Sequence, residues 1–185
     1  MMDRRHFLFS TLLSTLSSPL LFNLAGCWPK PGRLWLKDKR SPLPSAAWQL
    51  IAAVQEHLLP SSPNTPGAKD ANALAYLQFV LLAPDADAKD LDLIKNGVST
   101  LDDLAQTTYQ RSFIELSADQ RETVLRSFEE VAGGQHWIAT ILNFIFEALL
   151  SAPSYGGNVR GVGWKWLKHN PGFPLPPKGK RYYEL

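Results

Sequence analysis

Between Ala46 and Leu59 the apolar residues Trp48, Ile51, Val54 and Leu58 recur three or four positions apart, the spacing of one helical face. Pro60 stops that helix, since its ring cannot continue the hydrogen-bond ladder. Ser61 to Lys69 is punctuated by Pro63, Pro66 and Gly67 and reads as a loop. Asp70 is placed to cap a second helix, whose stripe is Leu74, Leu77, Val80 and Leu81. Pro84 closes it. A third helix is expected over Ala88 to Thr108, around Leu91, Ile94, Val98, Leu101 and Leu104; Gly97 in its interior works against it. Phe113 and Leu116 lead into Ser117-Ala118-Asp119-Gln120, a capping box. The helix it opens carries Val124, Leu125, Phe128 and Val131, with Gly133-Gly134 as its stop. His136 to Leu150 is apolar almost all round, which marks the central and most buried helix. No alternating strand pattern and no internal repeat occur. The expected fold is all-α, a small helical domain over 45–185 with a long irregular C-terminal tail.

The first 26 residues follow a different pattern. Arg4 and Arg5 are followed by Phe7 and Leu8, and Phe9 to Ala25 carries no charge. This resembles a twin-arginine export signal, an address read by a route that carries folded cargo. Ser10, Thr11, Ser14, Thr15, Ser17, Ser18 and Pro19 dilute the apolar run below that of a spanning helix. A cleaved signal and an uncleaved N-terminal anchor are the two readings, the first favoured. Asp3 and Phe9 depart from the usual flanks of such signals. Leu24-Ala25-Gly26-Cys27 resembles a lipobox, in which Cys27 takes a diacylglycerol. Cys27 is the chain's single cysteine, so an internal disulfide is excluded. A free or intermolecular thiol is the alternative to lipidation. Residues 27–44, with Pro29, Pro31, Pro42 and Pro44, read as a stiff linker. Together these features place the protein in the periplasm, attached to the outer face of the inner membrane.

Composition changes the picture little. At 45% hydrophobic and 19% charged the chain is ordinary globular material, and a net charge of +2 argues against nucleic acid as partner. One asymmetry stands out. From Pro153 onward Arg160, Lys165, Lys168, Lys178, Lys180 and Arg181 face a single acid, Glu184. Such a tail is a solvated face, or it lies along a partner or anionic headgroups. The search for chemistry is negative. No His-x-x-x-His, Cys-x-x-Cys, Gly-x-Gly-x-x-Gly or Gly-x-Ser-x-Gly occurs. Glu56-His57 reads as a surface pair at a helix end, and His136 as a core or interface residue. No catalytic, cofactor-binding or metal-ligating residue is assigned.

Tyr155-Gly156-Gly157-Asn158 and Gly163-Trp164 are the most specific internal feature. Glu56-His57-Leu58-Leu59-Pro60 with Thr65-Pro66-Gly67-Ala68, and Leu116-Ser117-Ala118-Asp119-Gln120-Arg121 after Phe113, accompany them. In these residues the chain resembles the gluconate 2-dehydrogenase subunit 3 family, over roughly 46–174. The resemblance implies a non-catalytic small subunit that binds a large FAD-containing dehydrogenase of the glucose-methanol-choline type. It implies that FAD sits in that partner, that electrons pass to a cytochrome c subunit or quinone, and that this chain carries the export signal read by the twin-arginine machinery. Tyr155, Gly156, Gly157, Asn158, Gly163, Trp164 and Trp166 are then the expected partner-binding residues. Aromatics supply contact area and glycines shape a turn. The bland alternative makes Gly-Gly-Asn a simple turn and the tryptophans core. The rival function is a free-standing exported lipoprotein, a binding module or an unrecognised hydrolase.

Overall fold

A computed structural model describes residues 41–84 and 86–172. Arg4, Arg5, Phe7, Leu8 and Cys27 lie outside the described residues. Six α-helices make up the fold: α1 Ser45–Leu58, α2 Ala73–Leu81, α3 Ala88–Tyr109, α4 Ala118–Glu129, α5 Gly134–Leu150 and α6 Val162–Trp166. Among the described residues there is no strand, only an isolated bridge between Ser62 and Thr65. The all-α expectation stands. α5 is the hub, packed against α1, α2, α3, α4 and α6. Trp137, Ile141, Ile145, Ala148 and Leu149 of α5 are buried. Trp137, Ile141, Ile145 and Ala148 meet Trp48, Ile51 and Val54 of α1, Leu77 of α2, Ile94 and Leu101 of α3, and Phe128 of α4 in one apolar cluster. Leu43, expected in the linker, is buried in that cluster too. Ser41 helps hold it there, accepting from the Trp48 indole at 2.8 Å and donating to the Leu43 carbonyl.

Four local expectations are revised. Asp70 does not cap α2. Asn72 holds that position in a left-handed conformation with φ 58°, and its side chain makes no cap bond. Asp70 instead accepts from the Gly67 N–H at 2.9 Å and braces the preceding loop. Bonds from the Ser61 side chain and the Gly67 backbone hold its carboxyl below the usual carboxylate range. Gly97 does not interrupt α3. A side chain there would overlap the Trp137 indole, which instead lies on the helix backbone and donates to the Ile94 carbonyl at 3.2 Å. The helix gives up the Ala-over-Gly propensity of about 1 kcal/mol and gains the burial of a tryptophan. Gly133 and Gly134 open α5 rather than close α4, which ends at Glu129. Gly134 lacks a Cβ where the Phe128 carbonyl approaches. His136 is exposed, so it is not a core residue.

The capping box at α4 is present as expected. Gln120 N–H donates to Ser117 Oγ, and Ser117 N–H donates to Gln120 Oε1 at 3.0 Å. His57 meets Glu122 of α4 at 2.8 Å, and Arg126 pairs with the same carboxylate. His57 thus serves as a tie between α1 and α4. The bonds from His57 and Arg126 hold the Glu122 carboxyl below its usual range. Asp102 of α3 accepts from Ser112 Oγ and Phe113 N–H, both at 2.8 Å, and so starts the 3-10 turn Phe113–Glu115.

Candidate functional site

The end of α5 explains the Tyr-Gly-Gly-Asn and Gly-Trp residues. A helix leaves its last carbonyls without intrahelical donors, and many helices answer this with a left-handed glycine. α5 has none: Ser151 follows it in an extended conformation. Its N–H takes the Glu147 carbonyl at 2.8 Å, and the chain must return to deal with the rest. It does so through 3-10 turns at Pro153–Tyr155 and Val159–Gly161, then α6.

Four residues of the signature meet four successive carbonyls. Gly157 brings its backbone against Ala148, where a Cβ would collide with the carbonyl. Gly163 does the same at Leu149. Trp164 Nε1 donates to the Leu150 carbonyl at 2.7 Å. Asn158 Nδ2 donates to the Ser151 carbonyl at 2.9 Å, and its Oδ1 accepts from Gly163 N–H at 2.8 Å. Asn158 is fully buried, in a left-handed conformation with φ 44°, one that Asn tolerates better than most residues. Gly156 has φ 92°, and its carbonyl accepts from Asn72 Nδ2 at 2.8 Å, which ties the turn to the start of α2. As far as Trp166 the tail, two 3-10 turns and a short helix joined by irregular backbone, packs as a cap on α5.

The signature thus divides. Gly157, Asn158 and Gly163 are buried, Gly156 and Trp164 are half-buried, and Tyr155 and Trp166 are exposed. Tyr155 stacks at a tilt on Phe79 of α2, ring centres 5.9 Å apart. Phe79 is 41% exposed and Tyr155 50%. One turn back on α2, Tyr76 donates to Glu147 of α5 at 3.1 Å. Burial and the neighbouring Glu147 push the Tyr76 phenol up to about 12. Beside this pair runs an open groove lined by Tyr76, Asn143, Phe146, Glu147, Leu150 and Ser151. Phe146 and Leu150 are 47% and 49% exposed. Five large side chains of α2, α5 and the first 3-10 turn after α5 thus form one outward aromatic-aliphatic face with a single acid in it. Exposed apolar residues grouped in this way mark an interaction surface.

Sequence reasoning reached Tyr155 but not Phe79, Phe146 or Leu150. Their signal was available: Phe146 and Leu150 sit four apart on α5, opposite Ile141, Ile145 and Leu149. A helix apolar on almost every side reads as the most buried one, and that reading hides its outward face. Among the described residues no group of three metal-ligating side chains comes together.

Comparison with known proteins adds one finding. No curated protein and no solved structure gives a significant match. The family model described as gluconate 2-dehydrogenase subunit 3 matches residues 45–172, from the first residue of α1 to just past α6. The matched span is the helical bundle together with the segment that caps α5, and the chain belongs to the gluconate 2-dehydrogenase subunit 3 family.

Proposed function

We propose that this protein is the non-catalytic small subunit of an exported sugar or alcohol dehydrogenase whose catalytic subunit is a glucose-methanol-choline type flavoprotein. Family membership over 45–172 carries the reading. Hydride transfer belongs to the partner's FAD, which supplies the redox chemistry. This chain offers the partner a preformed surface. The face of Tyr76, Phe79, Phe146, Leu150 and Tyr155 supports that role, because aromatic anchors in a rigid setting contribute most binding energy per residue. The capped end of α5 holds the face in one shape before the partner arrives, which lowers the ordering cost of association.

Arg4, Arg5, Phe7 and Leu8 give the complex its export address, so that the flavoprotein leaves already folded with its flavin. Cys27 attaches the assembly to the outer face of the inner membrane, and a cytochrome c subunit or quinone takes the electrons. The test is affinity capture of the tagged full chain from solubilised membranes, followed by flavin absorbance of the eluate. A stoichiometric flavoprotein is expected. Recovery of the chain alone, under conditions that keep other membrane complexes intact, would replace this reading with that of a free-standing lipoprotein.

A further inference from the structure

Beyond the groove, the protein carries a second exposed surface of opposite character. Between Ala152 and Gly172 there is no Asp or Glu, while Arg160, Lys165, Lys168 and His169 are all exposed. Two large apolar side chains stand among them in water, Trp166 at 42% and Leu167 at 49% exposure. The end of α6 fixes this arrangement. His169 N–H bonds the Trp164 carbonyl at 2.8 Å and Lys168 N–H bonds the Lys165 carbonyl at 3.2 Å, the two bonds of a Schellman terminus. Its left-handed position normally goes to glycine. Here it holds Lys168, with φ 52°. A charged side chain is kept where the backbone would be relaxed by its absence.

We propose that this tip, Lys165-Trp166-Leu167-Lys168 with Arg160 and His169, is a peripheral contact for anionic phospholipid headgroups. Tryptophan settles at the level of the headgroups, Leu167 adds apolar area beside it, and the basic groups meet lipid phosphates. The charge assigns the occupant. The groove face carries Glu147 and is mostly aromatic, whereas the tip carries only positive charge. No described helix is long and apolar enough to cross a membrane, so the tip lies on the surface rather than spanning it. The proposal does not depend on the flavoprotein reading.

Flotation of the purified full chain with vesicles tests it. One set is phosphatidylcholine alone; the other contains phosphatidylglycerol. The N-terminal apolar segment and any lipid on Cys27 contribute equally to both sets, so the readout is the preference for the anionic vesicles. Wild type is expected to prefer them, with the preference shrinking as salt rises. Each lysine removed should lower anionic binding by about fivefold, and Lys165→Ala/Lys168→Ala together by roughly thirtyfold. Trp166→Ala should weaken binding to both vesicle types. Circular dichroism melting checks that the exposed substitutions leave the fold intact. Equal binding of wild type to both vesicle sets overturns the proposal. So does an unchanged preference in the double lysine variant.

Discussion

Residues 155–164 carry out two tasks with one stretch of chain, and their inward and outward halves follow opposite rules. Inward, Gly157, Asn158 and Gly163 are buried, and their contacts run to backbone carbonyls at the end of α5 and of Ser151 just after it. Outward, Tyr155 is half exposed and touches another exposed ring, Phe79. The first half is constrained by close approach at Gly157 and Gly163 and by hydrogen bonds at Asn158. The second is constrained by what it presents. On the proposed reading a family signature is not a map of an interface; part of it builds the platform on which the proposed interface stands.

Substitutions can separate the halves. The largest effect is expected from Gly163→Ala, whose new Cβ would overlap the Leu149 carbonyl. Forced backbone movement in a tight site costs about 3 kcal/mol, and should lower the melting temperature by on the order of 10 °C. A calorimetric scan would show it, and an unchanged melting point would mean that the tail is not packed on α5. Asn158→Ala comes next. It leaves the Ser151 carbonyl and the Gly163 N–H without their partners and should cost about 2 kcal/mol. The comparison breaks if this variant melts like wild type but fails to capture the proposed flavoprotein partner, since Asn158 would then act outward.

Phe146→Ala and Tyr155→Ala should behave in the reverse manner. Both are surface positions, so stability should move by no more than about 0.5 kcal/mol. Binding to the catalytic partner should fall by roughly thirtyfold for a central anchor, a loss of about 2 kcal/mol. Titration of purified subunits would measure this, and full affinity in both variants would place the interface elsewhere. A last effect, confined to strongly alkaline solution, is a pH dependence at Tyr76. Its phenol is raised from 10.0 to about 12 in the folded state, so the folded protein keeps a proton that the unfolded chain has lost. Its contribution is whole below pH 10 and disappears as pH rises from 10 to 12. Tyr76→Phe should flatten that part of the stability profile; an identical slope in the variant would remove Tyr76 as the cause.

The helices were legible because periodicity, prolines and the Ser117–Gln120 box are local signals. The roles of the glycines were not. Gly97 looks like a helix defect until Trp137, forty residues later, is seen lying on it. Asp70 looks like a cap, but it turns back to Gly67, while Asn72 takes the position with its side chain on Gly156 far along the chain. The candidate surface was half legible. Tyr155 belonged to a recognisable motif, whereas Phe79, Phe146 and Leu150 have the residue types of the core, and only the packing of α5 against its five neighbouring helices reveals which side is left over.

The cap on α5 also imposes an order in time. The hub helix is made complete by residues synthesised after it: Gly157, Asn158, Gly163 and Trp164. At ordinary translation speeds of roughly 5–20 residues per second, α5 waits about a second or more with its final carbonyls open. A chain interrupted before Gly157 holds every apolar residue of the main cluster, yet its central helix ends frayed. Completeness of synthesis is in this way written into stability. A quality check that admits only folded cargo would, in reading the fold of this protein, also be reading whether its last capping residues had been made.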